Sequence, residues 1–520
     1  MISESAVDLS RWQFAATSLG HFLFVPLTLG LPVLLAIMES TYVMTGKEIY
    51  KDMTQFWGKL FVINFALGVL AGLTMVFERS MNWSNLSHYA GDIFGAPLAI
   101  AGLTAFFLES AFVGLFFLGW DKLGKGRHLV VTWLLALSTN LSALWIMIAN
   151  GWMQNPVGAD FNYETMRMEI TDFSRLLFNP VAQVKFVHTV AAGYATASAL
   201  VLGISAYYLL RGRDAAFAKR SYTIAAGFGL AAVLSVIIMG DESGYTDGEV
   251  QKVKLAAIEA EWHTAAPPAG FTVIGIPDPD AMETRYAVKM PWVYGLVGTR
   301  SVHTPITGLS EIMDKNRGRI RTGIKAYGLL QALREGRKDG NTQAEFERCK
   351  QDLGYGLLLK RYTDSVVDAT EEQIEQAVRD SIPRVVPLFW SFRVMVACGL
   401  VMLAVFVLAF IASSIRKCRP DWLLRLSFYM IPLPWIASEM GWFVAEFGRQ
   451  PWTIAEILPT FLSLSPLTEL DLYLSLSAYI GLYAVFVMIE MFLMLKFIKR
   501  GPSCLHKGRY HFEIVGGGGL

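Results

Sequence analysis

Apolar residues run through this chain in long blocks separated by short polar breaks. Nine stretches stand out, at about 12–44, 60–78, 96–120, 129–153, 183–210, 222–241, 385–415, 426–448 and 472–498. Each is long enough to cross a hydrocarbon core of about 30 Å, which takes about 20 residues of helix. The pattern predicts an all-α polytopic membrane protein with nine transmembrane helices. Residues 1–241 form the first six, 242–384 a polar segment between helices six and seven, and 385–520 the last three with a tail. The first block is long enough to tilt or to project beyond the bilayer. Pro26 is expected to kink it, leaving a carbonyl for neighbouring helices to satisfy.

The short connections give an orientation. Lys47/Lys51/Lys59, Lys122/Lys125/Arg127, Arg211/Arg213/Lys219/Arg220 and Arg416/Lys417/Arg419/Arg425 follow odd-numbered spans, and Lys499, Arg500, Lys507 and Arg509 follow the ninth. The alternate connections are poor in such residues. Basic loops stay in the cytoplasm, so the N-terminus and the 242–384 segment are expected outside and the C-terminus inside. That outer segment has proline-rich breaks at Pro267-Pro268, Pro277 and Pro279 and helical patterning at 306–337 and 343–362. It is too long for a simple connection and is expected to be functional.

Composition sharpens the picture. Of 520 residues 53% are hydrophobic and 17% charged, too apolar for an ordinary soluble enzyme. The balance of 45 basic against 44 acidic residues points to no nucleic-acid partner. Cys349, Cys398, Cys418 and Cys504 lack metal-ligand spacing and read as unpaired thiols. The opening MISESAVDLSRW has no cationic region ahead of a short apolar core, so no cleaved signal peptide is read.

Ionisable groups inside a bilayer are expensive and usually face a cofactor, a partner or water. Of eight histidines, His21 and His188 lie well inside apolar spans. A mid-span imidazole either bonds a neighbouring helix or ligates haem iron. In IASEMGWFVAEFGRQPW, Glu439, Trp442, Glu446 and Arg449 are spaced three, four and three, which places them on one helical stripe. The stripe is either a polar seam or a cofactor wall, with a carboxylate facing a metal, Trp against a macrocycle and Arg on acidic substituents. Arg393 and Met395 share the seventh span; Met395 matters if a histidine elsewhere needs a second axial partner. Glu109, mid-span in FFLESAF, is a structural acid or a proton relay. Lys59 and Asn150 sit near opposite span ends. In the outer segment VQKVKLAAIEAEW reads as a short amphipathic helix; beside a membrane its Lys254 and Glu259 could bind and deprotonate a quinol headgroup.

Taken together, these segments resemble the large subunit of cytochrome bd-type quinol oxidases, from SRWQFA to GRYHFE. The likeness runs through HFLFVPLTLG, FWGKLFVINFALG, GDIFGAPLAI, FFLESAFVGLFFLGWD, NLSALWIMIANGWMQNP, NPVAQVKFVHTV, GDESGY, KLAAIEAEW, DLGYGLLLKRY, SFRVMVACG and GWFVAEFGRQPW. The outer segment resembles the long Q-loop branch. The resemblance implies that His188 and Met395 ligate a low-spin haem b, with Arg393 close to it. It matches His21 and Glu446 to the axial ligands of two high-spin haems, in relatives haem d and a second haem b respectively. Trp442 matches a residue among the haems, Arg449 one near a propionate, Lys254 and Glu259 positions of quinol oxidation, and Glu109 an acid on the proton route to oxygen.

Two positions depart from the pattern. Ala101 in APLAIAG and Val76 in GLTMVF stand where relatives carry glutamate; Glu78 follows, but two helical residues rotate about 200°, so it does not simply stand in. The implied activity is a terminal oxidase of the bacterial inner membrane. It oxidises ubiquinol or menaquinol outside and reduces dioxygen to water through two haem b and one haem d, generating a proton motive force without pumping. A second membrane subunit and a small single-span one are the implied partners. The rival readings are an ion- or proton-conducting transporter, and a catalytically impaired relative that binds haem or quinone.

Overall fold

A computed structural model describes residues 3–336 and 340–502. The expected tail segment GRYHFE, with Lys507, Arg509, His506, His511 and Cys504, lies outside the described residues. The helices that build the site are numbered α1 to α13 in chain order. The first apolar block is broken where Pro26 predicts, into α1 (Glu4–Phe22) and α2 (Val25–Thr45). The break exposes carbonyls inside the bundle, and other helices satisfy them. Trp435 Nε1 donates to Leu23 O at 2.9 Å and Asn64 Nδ2 to Phe24 O at 2.9 Å.

Five further spans follow before the 242–384 segment. The first four are α3 (Glu48–Asn82), α4 (Gly91–Leu118), α5 (Lys125–Gln154) and α6 (Pro180–Leu210). Asn179 starts α6 by accepting from Val181 N, with Pro180 in the first turn, where its missing N–H costs nothing. Helix α6 is the most enclosed of the spans and meets α2 at small residues. A Cβ built on Gly30 would fall 2.6 Å from Ala197 Cβ, so the two backbones touch as membrane helices with small contact residues do.

Helix α7 (Ala215–Val250) does not stop at residue 241, where the sequence block ends; it carries GDESGY as helix beyond the apolar run. After α8 (Lys252–Glu259) and the long helix α9 (Leu309–Arg334), the chain returns through α10 (Val385–Phe410). The stretch 426–448 is two shorter helices, α11 (Asp421–Tyr429) and α12 (Leu433–Phe447), because Pro432 and Pro434 interrupt the run. Thr468 and Asp471 form a capping box that starts α13 (Glu469–Arg500). Among the described residues eight helices are long and apolar enough to cross a membrane, α1 and α2 counting as one and α12 falling short. The chain is therefore mostly helical and integral to a membrane.

The expectation of an all-α chain needs a correction outside the spans. Three antiparallel pairs form there: β1 (Ala159–Asn162) with β2 (Arg167–Ile170), β3 (Phe271–Asp278) with β4 (Glu283–Met290), and β5 (Trp452–Ile454) with β6 (Leu458–Pro459). Alternating β-branched residues in FTVIGI, free of the helical requirement that lipid imposes, pair instead as a hairpin. The 242–384 segment is fastened to one end of the bundle. Arg319 on α9 bridges Asp352 and Glu456, both at 2.7 Å, Lys350 meets Asp160 at 2.7 Å, and Arg361 meets Glu4 at the start of α1 at 2.7 Å.

Candidate functional site

Two groups of candidate residues come together at the end of the bundle that carries this segment. In the first, α8 lays Glu259 against α10 and β3. Arg393 of α10 donates to Glu259 Oε2 at 3.1 Å, to Ile258 O at 2.7 Å and to Thr272 O at 3.1 Å. Thr272 N donates to the same carboxylate oxygen at 3.2 Å. Phe389 lies under the guanidinium at 3.4 Å, adding a cation–π contact. Glu259 and Arg393 are both buried. Burial pushes the Glu259 carboxyl up from 4.5 to about 7, against the opposing pull of Arg393.

The second group centres on α5. Lys254 Nζ donates to Gln154 Oε1 at 3.0 Å and to Asp247 Oδ1 at 3.4 Å, and also meets Gln251 Oε1. Gln154 Nε2 in turn reaches Glu446 Oε1 at 3.3 Å, which also accepts from Asn150 at 2.8 Å, while Arg449 donates to Glu446 Oε2 at 2.6 Å. Lys254 is thus two hydrogen bonds from Glu446. Its ammonium is buried, and desolvation holds its pKa below the usual lysine value, with Asp247 acting the other way.

The in-span candidates sit deeper, and several of their polar atoms have no partner. His21 Nδ1 and His188 Nδ1 are buried with no hydrogen-bond partner. Both oxygens of Glu439 are in the same state, as are Lys185 Nζ and Arg449 Nε and Nη1. Glycines hold space against the ligand-type side chains. A Cβ on Gly72 of α3 would come 3.3 Å from His21 Cε1, one on Gly240 of α7 3.4 Å from His188 Cε1, and one on Gly441 of α12 3.1 Å from Met395 Sδ. Helix α12 packs against α10, α6 and α1, yet only its Pro434 and Val444 are fully buried. Trp442 meets the Phe22 ring edge-on at 5.2 Å, tying α12 to the turn that carries His21.

Imidazole nitrogens and carboxylate oxygens left unpartnered, with a thioether nearby and cations whose N–H groups are not all used, are what a flat iron macrocycle with acidic substituents requires. The donor set therefore fits haem. Glu446 is the exception: both of its oxygens are already bonded, so iron would compete with an amide or with Arg449. Glu109 stands apart, buried at the end of a π-helical turn, Thr104–Glu109, in α4, where it bonds the Ser142 hydroxyl of α5. Regular α-helix would leave Ala101 and Glu109 about 80° apart, and the π-helical turn adds one residue. It brings the two onto nearly one face, and both are buried.

Sequence reasoning missed Gln154, Ser142, Thr272, Asp247 and Lys185. Asn150 and Gln154 are one turn apart within an apolar span, and Lys185 is one turn from His188; both spacings were visible signals. Thr272 was not, because it acts through its backbone.

The likeness to known proteins covers nearly the whole chain. The family model for cytochrome bd terminal oxidase subunit I matches residues 9–502. The chain is 52% identical over 500 residues to cytochrome bd-II ubiquinol oxidase subunit 1 of Escherichia coli K12, covering 96% of this chain and 97% of the relative. It is 34% identical to cytochrome bd ubiquinol oxidase subunit 1 of Bacillus subtilis 168, covering 96% and 95%. Its fold matches the bd oxidase from Geobacillus thermodenitrificans with a TM-score of 0.78 at 23% identity, covering 96% of this chain and 100% of that one. The chain belongs to the cytochrome bd terminal oxidase subunit I family.

Proposed function

We propose that this chain is the haem-bearing subunit of a terminal oxidase that takes electrons from quinol and reduces dioxygen to water. The observation that carries the reading is the direct coupling of the outer segment to the in-span donors. Glu259 is bonded to Arg393, two residues from Met395, and Lys254 is linked through Gln154 to Glu446.

In this reading His188 and Met395 would hold a low-spin haem b across α6 and α10, with Gly240 and Gly441 lying against the two side chains. His21 holds haem d, and Glu446 the second haem b after releasing part of its present hydrogen bonding. Arg449 and Lys185 meet acidic substituents, and Trp442 packs between the sites. When bound, the haems supply the one-electron chemistry that side chains lack. Lys254 donates to a quinol oxygen and Glu259, with a pKa near the working pH, takes the quinol proton. Glu109 passes protons from the opposite side of the membrane, so charge separates without a pump.

The same reading makes α12 a ninth, short crossing, with the N-terminus and the 242–384 domain periplasmic and the C-terminus in the cytoplasm of a bacterial inner-membrane protein. The apolar surfaces of α4 and α13 then face lipid, a second membrane subunit or a small single-span one. Ubiquinol or menaquinol is the reductant. A transporter reading leaves the unpartnered imidazoles and the thioether without a role. The test is a visible spectrum of the purified complex with extracted-haem analysis and quinol-driven oxygen uptake. Two b-type haems for each d-type haem, with turnover, is expected; a colourless, inactive preparation would remove the proposal.

A further inference from the structure

Helices α1, α3 and α13 share a seam whose polar residues repeat at steps of four. Gln13 and Thr17 lead along α1 to Gly20 and His21. Asn82, Glu78 and Thr74 line α3, and Ser475, Tyr479 and Tyr483 line α13. Steps of four stay on one helical stripe and advance about 6 Å each, so the residues form three tiers. In the first, Asn82 Nδ2 and Ser475 Oγ donate to Gln13 Oε1 at 2.9 and 3.3 Å. In the second, Thr17 Oγ1 donates to Glu78 Oε2 at 2.5 Å. In the third, Tyr483 OH bonds Thr74 Oγ1 at 2.8 Å and Ala71 O at 2.9 Å. A Cβ on Gly20 would sit 2.7 Å from the Tyr483 ring, so this last tier abuts the turn that carries His21.

The tiers are buried but incompletely bonded. Gln13, Thr17, Glu78 and Asn82 are at most 1% exposed. Yet Gln13 Nε2, Asn82 Oδ1 and Glu78 Oε1 have no partner, and neither do Ser18 Oγ and His21 Nδ1 at the inner end. Buried polar atoms in such a run are normally bridged by ordered water, which makes about three hydrogen bonds of its own. The outer end leads into a serine-rich turn, where Ser465 N donates to Asn82 O at 2.9 Å and Ser84 to Ser465. That end lies on the side of the 242–384 segment, which grips the start of α1. Beyond Tyr483 the seam closes on Leu67 and Ala71 of α3, Phe486 of α13 and Phe24 at the start of α2, an apolar plug. The polar file therefore runs from that surface to the level of His21 and ends there. Val76, where relatives have an acid, points outward at 59% exposure, whereas this chain's own acid Glu78 faces the seam.

We propose that this file is a water passage, the exit for product water from the pocket that His21 borders. The inference rests on the reading of that pocket as the site of oxygen reduction. There, one dioxygen, four electrons and four protons become two waters, and both must leave through the protein. A wall of amides, hydroxyls and a carboxylate lets water exchange one hydrogen bond for another; it offers dioxygen, which is apolar, nothing over lipid.

The purified complex tests this in two ways. A high-resolution structure should show water within hydrogen-bond distance of at least two of Glu78 Oε1, Asn82 Oδ1 and Gln13 Nε2; a map with water at none would overturn the passage. Stopped-flow spectra should then follow binding of hydrogen peroxide, polar and water-like, and of carbon monoxide, apolar. Glu78→Leu, or Gln13→Leu if that variant does not assemble, should slow peroxide by about tenfold and carbon monoxide by less than about twofold, since only the former loses a hydrogen-bonded path. Glu78→Gln, which keeps the wall polar, should bind both at the parental rate. Equal slowing of both ligands, or an unchanged peroxide rate with an intact spectrum, refutes the exit. Failure of the parent to bind carbon monoxide would instead sink the oxygen-site reading and the exit's purpose with it, while the map still decides whether the water file exists.

Discussion

Glu446 and Glu439 lie two turns apart on the same helix in contrasting surroundings. Glu446, near the outer end, has both oxygens bonded by Arg449, Asn150 and Gln154. Glu439, deeper in the bundle, has neither bonded. The contrast extends to their neighbourhoods. Around Glu446 and Glu259, lysine, arginine and amide groups of the chain itself bond the carboxylates, while Arg449 Nε and Nη1 stay without a partner. Around His21, His188 and Met395, glycines let these side chains lie close to neighbouring backbones, and buried polar atoms stay unpaired. A buried polar atom without a partner costs about 1–3 kcal/mol, so the deeper region gains stability when something other than protein completes it. The carboxylates of the first network find most of their partners within the chain; the deeper donors do not.

The sharpest way to break that comparison is to remove a donor from the deeper region. His188→Ala or Met395→Leu should abolish nearly all of the low-spin band in the reduced spectrum while leaving high-spin haem, because six-coordinate iron needs both axial groups. An unchanged low-spin band in both variants would end the ligand assignment. In the first network the largest kinetic effect is expected at Glu259. Glu259→Gln should slow quinol-driven turnover by about 100-fold, the low end of the range for losing a general base, while an artificial reductant still reduces the haems. Since burial lifts this carboxyl to about 7, it is protonated below that pH and unable to accept a proton. Parental turnover should therefore rise as pH rises through about 7, and the variant should lose that rise; a parallel profile in both would move the base elsewhere.

Arg449→Ala tests whether the first network holds itself together. It strands the Glu446 carboxylate, and breaking such a pair costs about 3–5 kcal/mol when both partners are buried; Glu446 keeps 20% side-chain exposure, so the lower end is expected. A lowered Tm that Arg449→Lys partly restores is the expected result, and no change in Tm would demote the pair. The smallest effect is expected at Ala101. The π-helical turn places it over Glu109, so Ala101→Glu should add a second acid to the same face and raise high-spin haem content by less than about twofold. A falling haem content would mean that the buried site rejects the new charge.

Hydrophobic run length, basic-loop asymmetry and ordered short motifs made the membrane class, the family and the candidate residues legible before any coordinates. These signals are local: about 20 apolar residues form a helix in lipid whatever lies beside them. Even the break at Pro26 was readable, because a proline removes a donor wherever it stands. Only the tertiary structure decided which residues meet. Arg393, expected near a haem, is clamped between Glu259 and the backbone of β3, an alliance across more than a hundred residues of sequence. Gln154 joins Lys254 to Glu446 from a helix that neither belongs to. One extra residue in the π-helical turn reset the facing of Ala101 and Glu109. A step of two helical residues takes Val76 to Glu78, and packing turned the first to the outside and the second into the seam beside α1. Periodicity specifies a face relative to its own helix axis; what that face meets depends on how the helices rotate and pack, a property of the whole bundle.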